Sequence, residues 1–161
     1  MANLKIEFYL KLILLISLVS IISAYFIEYI LGYQPCNLCL IERIPYGLSI
    51  FLITLNFFFK QNEKFIILLL ILTFLFSLII SIYHYGIEQG FFEESTVCGV
   101  KDAIEIISKE ELLKQLQQKT VSCKDVTFKI FGMSLTSINV LISLIILITL
   151  TKIFVSYEKN K

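Results

Sequence analysis

Four stretches without a single Asp, Glu, Lys or Arg decide what this chain can fold into. They are residues 12–27, 44–59, 65–87 and 130–151. A helix needs about 20 mostly apolar residues to cross the hydrocarbon of a bilayer, within a range of roughly 17–25. The third and fourth runs satisfy this outright. The first two hold 16 residues each, and Lys11, Arg43 and Lys60 at their ends have stems long enough to snorkel to the interface. Composition agrees: 57% of the 161 residues are hydrophobic and 17% are charged, against about 25% charged in a soluble domain. Too little polar sequence remains to cover a water-soluble core. Disorder is excluded by the same figures. A net charge of +1 with no basic stripe excludes a nucleic-acid binder. The expected fold is all-α: an integral membrane four-helix bundle in a single domain, with spans at about 9–30, 43–60, 65–86 and 131–154. Outward loops are expected at about 31–42 and 87–130. The first run exceeds a usual signal-peptide core and lacks a small-x-small cleavage site, so it is expected to remain as a helix.

Lys and Arg set the orientation. Lys5 and Lys11, Lys60 and Lys64, and Lys152, Lys159 and Lys161 lie on one side in little sequence. Arg43 and six lysines of the 88–129 loop lie on the other. The tally is even, but long loops weigh less, so both termini are expected to be cytoplasmic. Within the long loop, Ser108-Lys109-Glu110-Glu111 reads as a capping box ahead of Leu112, Leu113 and Leu116. A short amphipathic helix within 104–118 is expected, either on the membrane surface or solvated.

The cysteines carry the chemical information. Cys36 and Cys39 form C-N-L-C in the first outer connection, and Cys98 and Cys123 lie in the second. Cysteine used as a small hydrophobe would scatter through the helices; here none lies in an apolar run. Sequence allows three pairings, and proximity favours 36–39 with 98–123. A C-x-x-C bridge closes almost no loop and staples poorly, but it suits redox cycling. Pro35 fits a first helical turn, placing Cys36 at a positive helix end that favours a thiolate. A 98–123 bridge closes 26 residues and would be worth roughly 3.5 kcal/mol as a staple. A zinc site is formally possible, but the distant pair lacks knuckle spacing, so no metal is expected.

Arg43 follows Cys39 by four residues, as Cys39 follows Cys36 by three, so the three share a helical face. Its guanidinium either supports a Cys39 thiolate or a ligand carbonyl, or it snorkels to headgroups. His84, the single histidine, stands near the outer end of the third span between Tyr83 and Tyr85. An ionisable residue at that depth is a functional candidate; the alternative is an interfacial aromatic belt. Glu42 and Glu28 belong to the same interface.

Taken together, these residues resemble the DsbB-type disulfide bond formation proteins over almost the whole chain. The resemblance rests on four spans and on Cys36-Asn37-Leu38-Cys39 followed by Arg43. It rests also on Tyr-His-x-Gly-x-Glu-x-Gly from Tyr83 to Gly90 leading to Cys98, and on Phe131-Gly132-Met133-Ser134-Leu135 with Asn139 after Cys123. Some family members carry a Trp before the last span; this chain has Ile138 before Asn139 and no Trp. The resemblance implies a protein-dithiol:quinone oxidoreductase of the bacterial inner membrane with periplasmic cysteines. The partner would be a periplasmic DsbA-type thioredoxin-fold oxidoreductase, general or dedicated. It would attack the 98–123 disulfide at Cys98. Cys123 would attack Cys36, and Cys39 would become the thiolate beside a quinone, ubiquinone or menaquinone. Arg43 would bind the quinone, with His84 and Glu42 as further quinone-side candidates. A DsbA-type disulfide is strongly oxidising, at about −120 mV, so its regeneration needs a stronger acceptor. Two other readings share some features: a scaffold with structural disulfides, and a vitamin-K-epoxide-reductase-like enzyme. The latter group usually carries its C-x-x-C near its last spans.

Overall fold

The computed structural model describes residues 2–58, 63–93, 122–124, 129–130 and 132–159. Four long helices form: α1 (Ala2–Tyr29), α2 (Asn37–Phe58), α3 (Glu63–Glu88) and α4 (Leu135–Lys159). Each contains a segment long and apolar enough to cross a membrane: Ile6–Tyr29, Asn37–Phe58, Glu63–Glu88 and Leu135–Tyr157. The shortest, at 22 residues, still reaches about 33 Å at 1.5 Å per residue. The all-α four-span fold expected from the charge-free runs is therefore present.

Two boundaries differ from expectation. Residues 37–42, expected in the first outer connection, are helical and belong to α2. Apolar length did not reveal this start because Glu42 and Arg43 interrupt the run; both are satisfied by partners on other helices, as described below. Before α4 stands a two-residue antiparallel ladder, β1 (Lys129–Ile130) and β2 (Met133–Ser134), pairing Lys129 with Ser134 and Ile130 with Met133. Gly132 turns it with a φ of 84°, the left-handed conformation that glycine adopts without a steric penalty. The last span consequently begins at Leu135 rather than near 131. The 104–118 helix lies outside the described residues.

The faces of the helices are sorted by packing more than by polarity. Leu10 and Ile13 of α1, Ile53 of α2, Ile67, Leu70 and Phe74 of α3, and Ile146 and Leu150 of α4 are buried in one cluster. Equally apolar residues such as Leu15, Ile22, Phe51, Phe76 and Ile145 face outward, as lipid permits. Small polar residues sit between helices: Ser17 meets Ser49 at 2.8 Å and Ser77 meets Ser143 at 3.0 Å, letting backbones approach and satisfying both hydroxyls. Hydroxyls away from the core bond back to their own helix, Thr54 to the Ile50 carbonyl and Thr149 to the Ile145 carbonyl. Helix α3 packs extensively on both α4 and α2, whereas α1 leans on α2 and barely touches α4. That asymmetry opens a cavity between α1 and α4.

Candidate functional site

At the head of α2, the peptide N–H of Leu40 donates to the Cys36 carbonyl at 3.2 Å, and that of Cys39 donates to Cys36 Sγ at 3.3 Å. Cys36 thus caps the helix with its sulfur in the place a serine oxygen usually takes. The positive end of the helix dipole falls on this atom. Pro35 precedes the helix instead of opening it, so the sequence expectation of a helix starting near 35 is corrected by two residues.

One helical turn closes the pair. Cys36 and Cys39 are unbonded, with sulfur atoms 2.7 Å apart, within easy reach of the ~2.05 Å of a disulfide. Cys36 is buried and Cys39 partly so. The hydrogen bond with Cys39 is the main influence holding the Cys36 thiol well below the usual range, at about 5. Burial opposes this, and the hydrogen bond and charge of His84 reinforce it.

His84 comes from the C-terminal end of α3. Its Nε2 lies 3.5 Å from Cys36 Sγ and its Nδ1 lies 3.0 Å from Glu42 Oε1. The other Glu42 oxygen accepts from Asn139 Nδ2 of α4 at 3.0 Å, and the same nitrogen donates to Ser81 Oγ at 2.7 Å. Tyr46 donates its hydroxyl to Asn139 Oδ1. Thr136 donates to Glu88 Oε1 at 2.5 Å while its oxygen lies 3.4 Å from His84 Nδ1. Three helices therefore meet in one polar network, which satisfies groups that would be costly to bury alone. Sequence reading missed Asn139 as the keystone, along with Thr136, Tyr46 and Ser81. Asn139 and Ser81 are polar residues inside charge-free runs, which is the signal that marks them.

Arg43 faces α1. Its Nη1 pairs with Glu28 Oε2 at 2.5 Å, and its guanidinium carbon lies 5.1 Å from the centre of the Tyr25 ring. The structure thus gives Glu28, which had no expected role, a definite one: it holds the arginine.

These groups surround the cavity between α1 and α4, about 330 Å³ in volume. Val19, Ala24 and Ile27 of α1 and Ile138 and Ile142 of α4 line its apolar part; Cys36, Cys39, Arg43, Glu42, His84 and Cys123 line the other. Cys123 is disulfide-bonded and belongs to the same buried cluster as Cys36, with Leu38 and Ile87. Cys98 lies outside the described residues. Cys36, Cys39 and His84 offer three potential metal-ligand atoms within 4.8 Å of one another. Two thiolates on one tetrahedral zinc stand about 3.8 Å apart, given Zn–S bonds near 2.3 Å. The 2.7 Å separation fits a redox pair better.

The two glycines at and just after the C-terminal end of α3 have separate tasks. Gly86 leaves room for the Phe92 ring, whose nearest atom would lie 2.2 Å from an added Cβ. Gly90, at φ 78°, lets the chain leave the helix in a left-handed cap.

Fold and site together define a multi-pass membrane protein built around a paired-thiol centre. The family model "Disulfide bond formation protein DsbB" matches residues 7–153, nearly the whole chain. The uncharacterized protein RP370 of Rickettsia prowazekii (strain Madrid E) is 34% identical over 155 residues, covering 94% of this chain and 90% of the relative. The chain belongs to the DsbB family of disulfide bond formation proteins, membrane oxidoreductases that generate disulfides.

Proposed function

We propose that this protein reoxidises a periplasmic DsbA-type thioredoxin-fold oxidoreductase and passes the electrons to a membrane quinone. The observation that carries the reading is the placement of Cys123, disulfide-bonded, in one buried cluster with Cys36 of the unbonded pair. Sulfurs so gathered can exchange partners without large movements of the bundle.

In this reading the partner's thiolate attacks Cys98, breaking a Cys98–Cys123 bond. Cys123 leaves as a thiolate and attacks Cys36. In the oxidised form, where Cys36 and Cys39 are joined, that bond then breaks and Cys39 takes the electron pair, at the wall of the cavity. Each exchange is an in-line attack of a thiolate on a sulfur. Once reduced, Cys36 at the capped helix end is held as a thiolate, a good nucleophile for re-forming the pair.

The residues present fit a quinone. The cavity lies within the usual size range of ligand sites, roughly 300–1,000 Å³. Val19, Ala24, Ile27, Ile138 and Ile142 would hold an apolar ring and tail, and Arg43 would meet a ring oxygen. A bound quinone supplies a lipid-soluble two-electron acceptor. Glu28 and Tyr25 keep the Arg43 charge in place, which makes Arg43 a fixed positive centre at the cavity edge. The lysine density of the short segments supports cytoplasmic termini and cysteines on the opposite, periplasmic side; the family supports a bacterial inner membrane.

Mixing pre-reduced DsbA-type partner with the protein and either ubiquinone or menaquinone tests this. Quinone absorbance should fall in step with partner oxidation, and the quinone giving the faster decay is the one used. Partner oxidation that proceeds equally without quinone would defeat the proposal.

A further inference from the structure

We propose that His84 is the proton acceptor for the Cys36 thiol, with Glu42 as the positioning residue that fixes its tautomer. This rests on the thiol-exchange reading above and adds a role to it. His84 and Glu42 were expected beside the quinone; both line the cavity, but their shortest contacts connect them to Cys36 and to each other.

The hydrogen-bond directions carry the argument. Thr136 spends its hydroxyl proton on Glu88 Oε1, so toward His84 it can only accept. Glu42 as a carboxylate can also only accept, and its Oε1 lies 3.0 Å from the same ring nitrogen. Nδ1 therefore carries the hydrogen, facing acceptors on two sides. In the neutral ring Nε2 is then an open lone pair, and it points at Cys36 Sγ across 3.5 Å. His84 is 2% exposed and Glu42 8%, so both positions are largely shielded from bulk water. A carboxylate behind an imidazole whose other nitrogen faces a nucleophile is the orienting arrangement of the hydrolase triads. Here it acts on a sulfur at a helix start.

The step is a proton transfer. The S–H bond of Cys36 breaks, an N–H bond forms at His84 Nε2, and the Cys36 thiolate and imidazolium remain as a contact pair. No electrons change hands. Glu42 keeps its charge and faces the imidazolium. The charged and titratable groups around the pair are Cys39 and Glu42 of α2 and Glu88 of α3 through Thr136; Cys123, disulfide-bonded, joins them only when reduced. Arg43, paired with Glu28, and Tyr46 lie along the same cavity wall. Asn139 holds the second Glu42 oxygen, so the carboxylate cannot rotate away. The low range in which Cys36 titrates agrees with this pairing.

The test uses the reduced full-length protein carrying Cys39→Ser, so that Cys36 alkylation by iodoacetamide is read without the neighbouring sulfur. In that background His84→Gln should slow alkylation at about pH 6 by tenfold or more, the factor for one unit of thiol pKa. The rates should converge at about pH 9.5, where an ordinary thiol is ionised. Glu42→Gln should give a smaller shift in the same direction. Superimposable profiles, or a uniform fall at every pH, would overturn the assignment. If His84→Gln does not insert, Glu42→Gln decides, and the absence of any shift overturns it. Turnover of the unmodified protein with partner and quinone separates the two readings. Its failure alongside the expected alkylation profiles sinks the functional proposal and leaves the proton acceptor standing.

Discussion

His84 Nε2 of α3 lies 3.5 Å from the Sγ of Cys36, the residue that caps α2, although the two are 48 positions apart in sequence. The contact joins the helix-capping cysteine to a buried polar network running through Glu42, Asn139 and Ser81. It makes the two sulfurs of the C-x-x-C unequal: Cys36 faces a base and the helix dipole, while Cys39 sits at the cavity wall in the first turn of α2.

That inequality has a pH signature. A thiol held down at about 5 is a thiolate from roughly pH 6 upward, so its alkylation rate should be nearly flat from about pH 6 to 8. An ordinary thiol rises about tenfold per pH unit over that range. The sign for stability follows: a depressed acid stabilises the reduced fold fully above its unfolded pKa, near 8.5, and loses that contribution as pH falls through about 5. Peptide mapping after brief alkylation of the reduced protein at about pH 6 should find the label on Cys36. Label mainly on Cys39 would contradict the geometry.

Replacing either sulfur of the pair should stop quinone-linked turnover. Cys36→Ser and Cys39→Ser are both expected to insert normally, because serine is nearly isosteric and each site has hydrogen-bond partners to offer a hydroxyl. Activity should fall by at least about a thousandfold, as when an essential nucleophile is removed. Full activity in either variant would remove that sulfur from the electron path.

Arg43 and Glu28 give a separable prediction. Arg43→Ala should raise the apparent KM for quinone by about tenfold or more, the scale of a lost charged hydrogen bond of ~1.5–3 kcal/mol. Mixed-disulfide formation with the partner should change by less than about twofold, since that chemistry is at sulfur. Glu28→Gln should have a weaker effect, because the Tyr25 ring still holds the guanidinium. Equal losses in both half-reactions would count against a quinone role.

Gly86 is a test of the scaffold. An added methyl would overlap the Phe92 ring, which stacks on Tyr83 with centroids 5.6 Å apart. The backbone N–H groups of Phe91 and Phe92 both donate to the Gly86 carbonyl, so the ring must rotate rather than the chain withdraw. Gly86→Ala should destabilise the protein by about 1–3 kcal/mol, the usual cost of overpacking, read as a lowered thermal midpoint in detergent. An unchanged midpoint would show that Phe92 gives way without cost.

Much of this architecture is legible in the chain. Charge-free runs reveal spans because a bilayer tolerates few unpaired charges, and four cysteines outside those runs reveal a thiol function. Arg43 is legible as a site residue from its spacing to Cys39. Its partner is not: Glu28 is on another helix, and no periodicity connects the two. Asn139 is hidden for the same reason, since its value depends on Glu42, 97 positions away. The start of α2 is obscured because Glu42 and Arg43 look like loop residues until His84 and Glu28 are seen to satisfy them. His84 is legible as functional, but whether it serves a quinone or a thiol depends on which ring nitrogen faces the sulfur.

In the proposed relay Cys123 hands its electrons to Cys36. Its most direct test is disulfide mapping of the quinone-free protein, oxidised beforehand, after one equivalent of reduced DsbA-type partner and rapid acid quenching. A relay of this kind leaves a peptide pair joined through Cys36 and Cys123, with Cys39 free to be labelled and Cys98 joined to the partner. Recovery of only Cys36–Cys39 and Cys98–Cys123 linkages, with the partner still reduced, would contradict it.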